Sequence, residues 1–202
     1  MKFWDKIANN YDQEEKKDEL TYERIIEKII KHFKISDVVL DFGCGTGLIS
    51  NRIAGNVKET HAIDTSSKMI EIAQKKADDL KIKNIYYIQS TIFDIRYKIG
   101  SFDAVLAFYI LHLLDDADKV IQRINELLKP GGLIISVTPC MGETIFQSFI
   151  LSIISKIGLI PMSTPFKIPE LEDLITDGDF EIIESECLYR KGQQHFIVAK
   201  KI

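Results

Sequence analysis

Three glycines at alternate positions, Gly43, Gly45 and Gly47, follow an apolar run that ends in Asp41, in "VLDFGCGTGLI". Glycines in a strand-to-helix turn let the main chain approach a ligand closely, and the free N–H groups of the following helix suit a carboxylate or a phosphate. The acid that leads the turn narrows the choice. Asp41 would repel a pyrophosphate at close range, yet it can position an amino-acid-like ammonium directly or through water. The G-x-G-x-G spacing also departs from the G-x-G-x-x-G of a dinucleotide site. A second acid, Asp64, ends the next apolar run in "HAIDTSSKMI", where a carboxylate can accept both hydroxyls of a ribose. Either aspartate alone also reads as a turn or cap residue. Both together, around three glycines, point to a ligand site.

The elements that must carry these residues are legible from periodicity. "LTYERIIEKIIKHF" places Ile25, Ile26, Ile29, Ile30 and Phe33 on one helical face. "DVVLDF" reads as a buried strand, "GLISNRIA" as a helix and "ETHAID" as a second strand. "SSKMIEIAQKKADDL" reads as a helix with a serine cap and Glu71 near its first turn. "IYYIQS" and "FDAVLAFYIL" are strands, "ADKVIQRINELL" is a helix ended by Pro130-Gly131-Gly132, and "LIISVTP" is a further strand. "FEIIESECLYR" and "HFIVAKK" close the chain as two strands joined by the turn-forming "KGQQ". Strands alternating with helices predict an α/β fold: a doubly wound, mostly parallel seven-stranded sheet with helices on both faces and an antiparallel C-terminal strand.

With 202 residues, one domain is expected. Its parts would be an N-terminal cap and helix (1–35), a cofactor-binding core (36–139), an apolar lid or substrate insertion (140–170) and the C-terminal strands (171–202). In the insertion, Ile145, Phe146, Phe149, Ile150, Ile153, Ile154 and Ile157 form a broad apolar face. A helix packed over the sheet is the plain explanation; a lid over an apolar ligand or a dimer seam is the alternative, so monomer and homodimer both stay open. The segment is too short and interrupted for a membrane span. A net charge of -4 and a pI near 5.6 disfavour nucleic acid as a partner. Cys44, Cys140 and Cys187 are widely spaced without a neighbouring histidine, so reduced thiols and no metal are expected. The polar opening lacks the apolar core of a secretory signal, and a cytoplasmic protein is expected.

These stretches carry a family resemblance. "VLDFGCGTG" resembles the first motif of the class I S-adenosylmethionine-dependent methyltransferases, and "AIDTSSKMIEIA" their second, whose acid holds the ribose. "FDAVLAFYILHLLDD" is similar to the fourth-strand segment, "LKPGGLIISVTP" to the helix-end turn and fifth strand, and "FWDKIANNYDQ" to the A-x-x-Y-D opening of small-molecule members. The likeness runs in order from about Phe3 to Pro139. It implies a Rossmann-like methyltransferase fold, S-adenosylmethionine as cofactor with S-adenosylhomocysteine as product, and a small-molecule acceptor. By position, Asp41, Gly43, Gly45 and Gly47 would cradle the methionine part and Asp64 would bind the ribose. Thr65 and Met69 would line the adenosine side, Ala107 would contact the cofactor after the fourth strand, and Tyr11 would close over it. The family commonly has Gly-Asp after its third strand; this chain has Ser90-Thr91. Adenine binding would then lean on Thr91 and on main chain at Thr91 and Ile92, without charge assistance.

A sulfonium methyl is already an activated electrophile, so such an enzyme chiefly aligns the nucleophile and excludes water. A base helps a hydroxyl acceptor, and His112, at the family's fourth-strand histidine, is the first candidate. Tyr11 is a second, better suited to covering the cofactor; Tyr109 and His195 have no supporting motif. Cys140 after Pro139 resembles the nucleophilic cysteine of cytosine-5 methyltransferases, but the matching fourth-strand motif is absent. The Asn/Asp-Pro-Pro-Tyr motif of amino-group methyltransferases is replaced by "AFYI". The expected activity is methyl transfer from S-adenosylmethionine to a small, apolar or amphipathic organic acceptor. The alternatives are a non-catalytic cofactor-binding or regulatory protein and an NAD-dependent oxidoreductase.

Overall fold

The computed structural model describes residues 3–15, 19–143, 163–189 and 194–202. In chain order the elements are α1 (Phe3–Glu15), α2 (Glu19–Ile29), β1 (Val38–Phe42), α3 (Leu48–Ile53), β2 (Glu59–Asp64), α4 (Ser67–Asp79), β3 (Ile85–Gln89) and β4 (Phe102–Phe108). Then follow α5 (Ala117–Leu127), β5 (Leu128–Pro139), α6 (Ile168–Thr176), β6 (Phe180–Tyr189) and β7 (Gln194–Lys201). The strands form one seven-stranded sheet in the order β3-β2-β1-β4-β5-β7-β6. The chain divides into two compact units, Met1–Tyr97 with Ser101–Leu106, and Lys98–Gly100 with Ala107–Ile202. The apolar face from Ile145 to Ile157 and most of the "KGQQ" turn lie outside the described residues.

In the first unit β1 runs parallel to both β2 and β4, and β2 runs parallel to β3. A strand flanked on both sides in a parallel sheet is buried on both faces, which is why "VVLDF" reads as an unbroken apolar run. The strand order reverses at the β1–β4 pair, and such a switch point opens a crevice at the carboxyl ends of the strands. Helix α2 buries Tyr22, Ile25 and Ile29, while Ile26 and, beyond the helix, Ile30 and Phe33 are only half-buried. Its core-facing stripe is therefore narrower than the five predicted positions. Helix α4 buries Met69, Ala73 and Ala77 at i, i+4 and i+8. The predicted cap is Ser66, whose hydroxyl accepts the Met69 N–H at 3.2 Å. Glu71 takes no part in that cap and pairs with Lys68 at 2.8 Å.

In the second unit β7 runs antiparallel to both β5 and β6, with Thr138 opposite His195 and Pro139 opposite Gln194. Helix α5 passes straight into β5 at Leu128, so Pro130, Gly131 and Gly132 belong to the strand rather than to a turn before it. Gly131 absorbs the bend with φ 74°. Helix α6 buries Leu171, Leu174 and Ile175, and the Glu170 carboxylate accepts the Lys167 N–H at 3.0 Å at its start. Among the described residues no helix is long and apolar enough to cross a membrane.

Candidate functional site

The glycine turn is built by the end of β2 as much as by β1. The amides of Gly43 and Cys44 both donate to the Ile63 carbonyl, at 2.8 and 3.0 Å. Gly43, Gly45 and Gly47 all take positive φ, at 76°, 53° and 75°. Only glycine adopts three such conformations in five residues without strain. Gly47 has a packing reason as well: a Cβ there would lie 2.3 Å from the Tyr87 hydroxyl and 3.2 Å from the Ala73 Cβ. At Gly45 a Cβ would stand 3.8 Å from Tyr11 Cε1, so the tyrosine ring lies against the turn.

Both predicted acids face this turn. Asp64 accepts the Gly45 amide through Oδ2 at 3.0 Å and the Ser66 amide through Oδ1 at 2.8 Å, joining two loops through one carboxylate. Each oxygen keeps a further lone pair for a ligand hydroxyl. Asp41, 2% exposed, accepts a short hydrogen bond from the Ser50 hydroxyl. Burial, with the nearby Asp64 charge adding to it, pushes its carboxyl up to about 6 against the pull of Ser50. Asp64 is also raised, by burial first, although the amides of Ser66, Gly45 and Thr65 work the other way. No ion pair reaches either carboxylate among the described residues. Two coupled, desolvated acids without a cation favour a positively charged ligand, and S-adenosylmethionine brings an ammonium and a sulfonium. Burial drives the Cys44 thiol well above its ordinary range, which keeps it unreactive.

Helix α1 is tied to both loops by acids that sequence reasoning gave no role. Asp12 accepts from the Thr46 hydroxyl at 2.5 Å and pairs with Lys76 at 2.8 Å. Asp5 accepts from the Ser66 hydroxyl at 2.6 Å. Asp5 and Asp12 lie two helical turns apart and so share a face, but nothing in that spacing names their distant partners. Beyond β3, the Ser90 amide donates to the Asp64 carbonyl at 3.0 Å, which places Thr91, exposed, and Ile92, buried, on the next loop. Asp94 does not replace the missing acid: Arg96, at 2.6 Å, and Ser90, also at 2.6 Å, engage it and hold its carboxyl far below the usual range. Thr65 is exposed and Met69 fully buried.

The second unit holds the other candidates. Ala107 is buried near the end of β4. His112 sits in a short 3-10 turn, Leu111–Leu113. Its Nδ1 is buried without a hydrogen-bond partner. Burial lowers the imidazole pKa to about 4, so the ring is neutral near pH 7. His195 meets the Ser185 hydroxyl at 2.9 Å and Glu172 at 3.5 Å. Cys140 is buried, its Sγ 3.7 Å from the Thr138 carbonyl. The structure thus gathers Tyr11, Gly45 and Asp64 around one turn and places Ala107 and His112 in the other unit.

The family described as methyltransferase domain matches residues 34–190. A ubiquinone biosynthesis O-methyltransferase of Rickettsia canadensis is 31% identical over 176 residues, spanning 82% of this chain and 72% of that protein. Its Rickettsia felis counterpart is also 31% identical, over 82% of this chain and 70% of its own length. Among solved structures, geranyl diphosphate methyltransferase in complex with S-adenosylmethionine aligns with a TM-score of 0.74 at 16% identity, over 89% of this chain and 85% of that one. The YcgJ protein of Bacillus subtilis aligns with the same TM-score and identity over 89% of this chain and 98% of that one. The chain belongs to the class I S-adenosylmethionine-dependent methyltransferases. It is an enzyme that uses S-adenosylmethionine to methylate a small-molecule acceptor, and the oxidoreductase and non-catalytic alternatives fall away.

Proposed function

We propose that the methyl group goes to the hydroxyl oxygen of an apolar or amphipathic acceptor. The two Rickettsia relatives are O-methyltransferases, and the isoleucine and phenylalanine content of residues 140–170 suits an apolar acceptor. The observation that carries the reading is the His112 ring, neutral and with a buried, unpartnered Nδ1. When bound, S-adenosylmethionine supplies the electrophilic methyl. Asp41 holds its ammonium, Gly43, Gly45 and Gly47 let main chain close on the methionine part, and Asp64 takes the ribose hydroxyls. Thr65 and Met69 line the adenosine side, Thr91 and Ile92 border the adenine, Ala107 meets the cofactor beyond β4, and Tyr11 covers it. His112 accepts the acceptor's proton, through Nδ1 directly or by one water.

The test is formation of S-adenosylhomocysteine with 4-tert-butylcatechol as acceptor, alongside thiol and amine analogues. His112→Ala should lower the rate on the catechol by about 10²-fold or more while leaving S-adenosylhomocysteine binding unchanged. Preferential turnover of the amine or thiol, or a rate indifferent to His112, would overturn the oxygen assignment.

A further inference from the structure

Among the described residues three that are not glycine hold positive φ: Lys81 at 57°, Tyr109 at 54° and Asp179 at 62°. Two have an ordinary reason. Lys81 and Asp179 follow the ends of α4 and α6, and their amides return to the carbonyls of Asp78 at 3.0 Å and Thr176 at 3.2 Å. A left-handed residue of that kind commonly closes a helix. Tyr109 closes no helix. It directly follows the last residue of β4, and left-handed backbone is disfavoured for a bulky side chain.

The contacts of Tyr109 show what that conformation achieves. Its amide donates to the Val137 carbonyl at 2.8 Å, so contact with β5 persists one residue past the strand. Its hydroxyl donates to Gln194 Oε1 at 3.1 Å. Gln194 opens β7 and stands opposite Pro139, the last residue of β5. Since β5 lies between β4 and β7 in the strand order, the phenol ring spans from the end of β4, past the end of β5, to the start of β7. The carboxyl edge of a doubly wound sheet is where ligands settle. Strained backbone persists where the surrounding structure over-determines it, and such positions cluster at ligand sites.

We propose that Tyr109 is a specificity-determining residue: its ring is the wall against which an aromatic, hydroxyl-bearing acceptor packs. The inference rests on the acceptor reading above and deepens it. The hydroxyl is anchored to Gln194, so the ring binds and orients, and His112 remains the proton acceptor. A fixed aromatic face favours planar acceptors over branched aliphatic ones of similar size.

Tyr109→Phe, Tyr109→Ala and Tyr109→Gly test this through thermal midpoint, S-adenosylhomocysteine affinity by calorimetry and initial rates on 4-tert-butylcatechol. Tyr109→Gly should be at least as stable as Tyr109→Ala, reversing glycine's usual disadvantage, because only glycine relieves the left-handed conformation. Both should raise the catechol KM by about tenfold, while Tyr109→Phe stays within about threefold of wild type. S-adenosylhomocysteine affinity should be the same in all four proteins. A glycine variant less stable than the alanine variant, or a catechol KM unmoved by loss of the ring, overturns the inference and leaves the acceptor reading intact. Failure of the wild type itself to turn over catechols, with S-adenosylhomocysteine still bound, overturns both.

Discussion

Around the glycine turn, Asp64 engages Gly45 and Ser66, Asp12 engages Thr46 and Lys76, and Asp5 engages Ser66. At the carboxyl edge of the second unit, by contrast, His112 keeps a buried nitrogen without a partner and Tyr109 holds left-handed backbone. The first region is finished before any ligand arrives: its dipoles are fixed and only its negative charge is uncompensated. The second leaves a proton acceptor and an aromatic ring in place, the histidine Nδ1 without a hydrogen bond and the tyrosine against its backbone preference. A cofactor that never changes rewards the first arrangement, since a preorganised site loses little to reordering on binding. An acceptor that must be recognised and then activated rewards the second.

The largest effect that could break this contrast is structural. Gly47→Ala forces a Cβ onto Tyr87 and Ala73 at φ 75°, and should destabilise the fold by about 2–4 kcal/mol in denaturant unfolding. Loss of cofactor binding with full stability would show instead that Gly47 serves the ligand alone.

Next comes pH. With a carboxyl raised from its ordinary 3.8 to about 6, ionised Asp41 costs the ligand-free protein about 3 kcal/mol at neutral pH. Its pKa is raised in the folded state, so its contribution to stability is fully present below the unfolded value and is lost as pH rises through about 6. A bound ammonium needs the ionised form. Affinity for S-adenosylhomocysteine should therefore fall by up to about tenfold per unit as pH drops below about 6, and Asp41→Asn should flatten that profile while weakening binding at neutral pH. A pH-independent affinity in the wild type would remove Asp41 from the ammonium site.

Asp12→Ala removes the acceptor for Thr46 and the partner of Lys76. It should weaken S-adenosylhomocysteine by about tenfold and alter the fluorescence change on binding, which the chain's single tryptophan, Trp4 on α1, reports. An unchanged affinity would mean that α1 is held independently of the turn. Smallest is Thr91→Asp: restoring the acid should tighten binding by about threefold, because Thr91 is exposed and the added charge is screened.

The same contrast governs what the sequence made legible. Asp41, the glycines, Asp64 and the Ser66 cap were readable because their chemistry fixes both residue type and spacing, and β1 to β5 followed from apolar runs between turn signals. The start of the chain shows its A-x-x-Y-D resemblance and Tyr11 but not its helix: Trp4, Ile7, Ala8 and Tyr11 of α1 recur at helical spacing, yet acids and lysines outnumber them. Helix α6 straddles the expected boundary between insertion and C-terminal strands, and Pro161, Pro165 and Pro169 mask it, although Pro169 sits at its first turn and Glu170 supplies the capping contact. No local pattern announces that Asp5 and Asp12 anchor α1 to loops far along the chain. The strain at Tyr109 is equally hidden, since positive φ at a tyrosine has no sequence signal.

The most direct test of a cationic, ribose-bearing cofactor held between two uncompensated acids is calorimetric titration of S-adenosylmethionine and S-adenosylhomocysteine into the wild type and Asp64→Ala. The expected result is micromolar binding to the wild type, weakened by about a hundredfold or more in the variant, with the variant's fold intact by circular dichroism. Equal binding by the two proteins, or none by the folded wild type, would contradict the account at its centre.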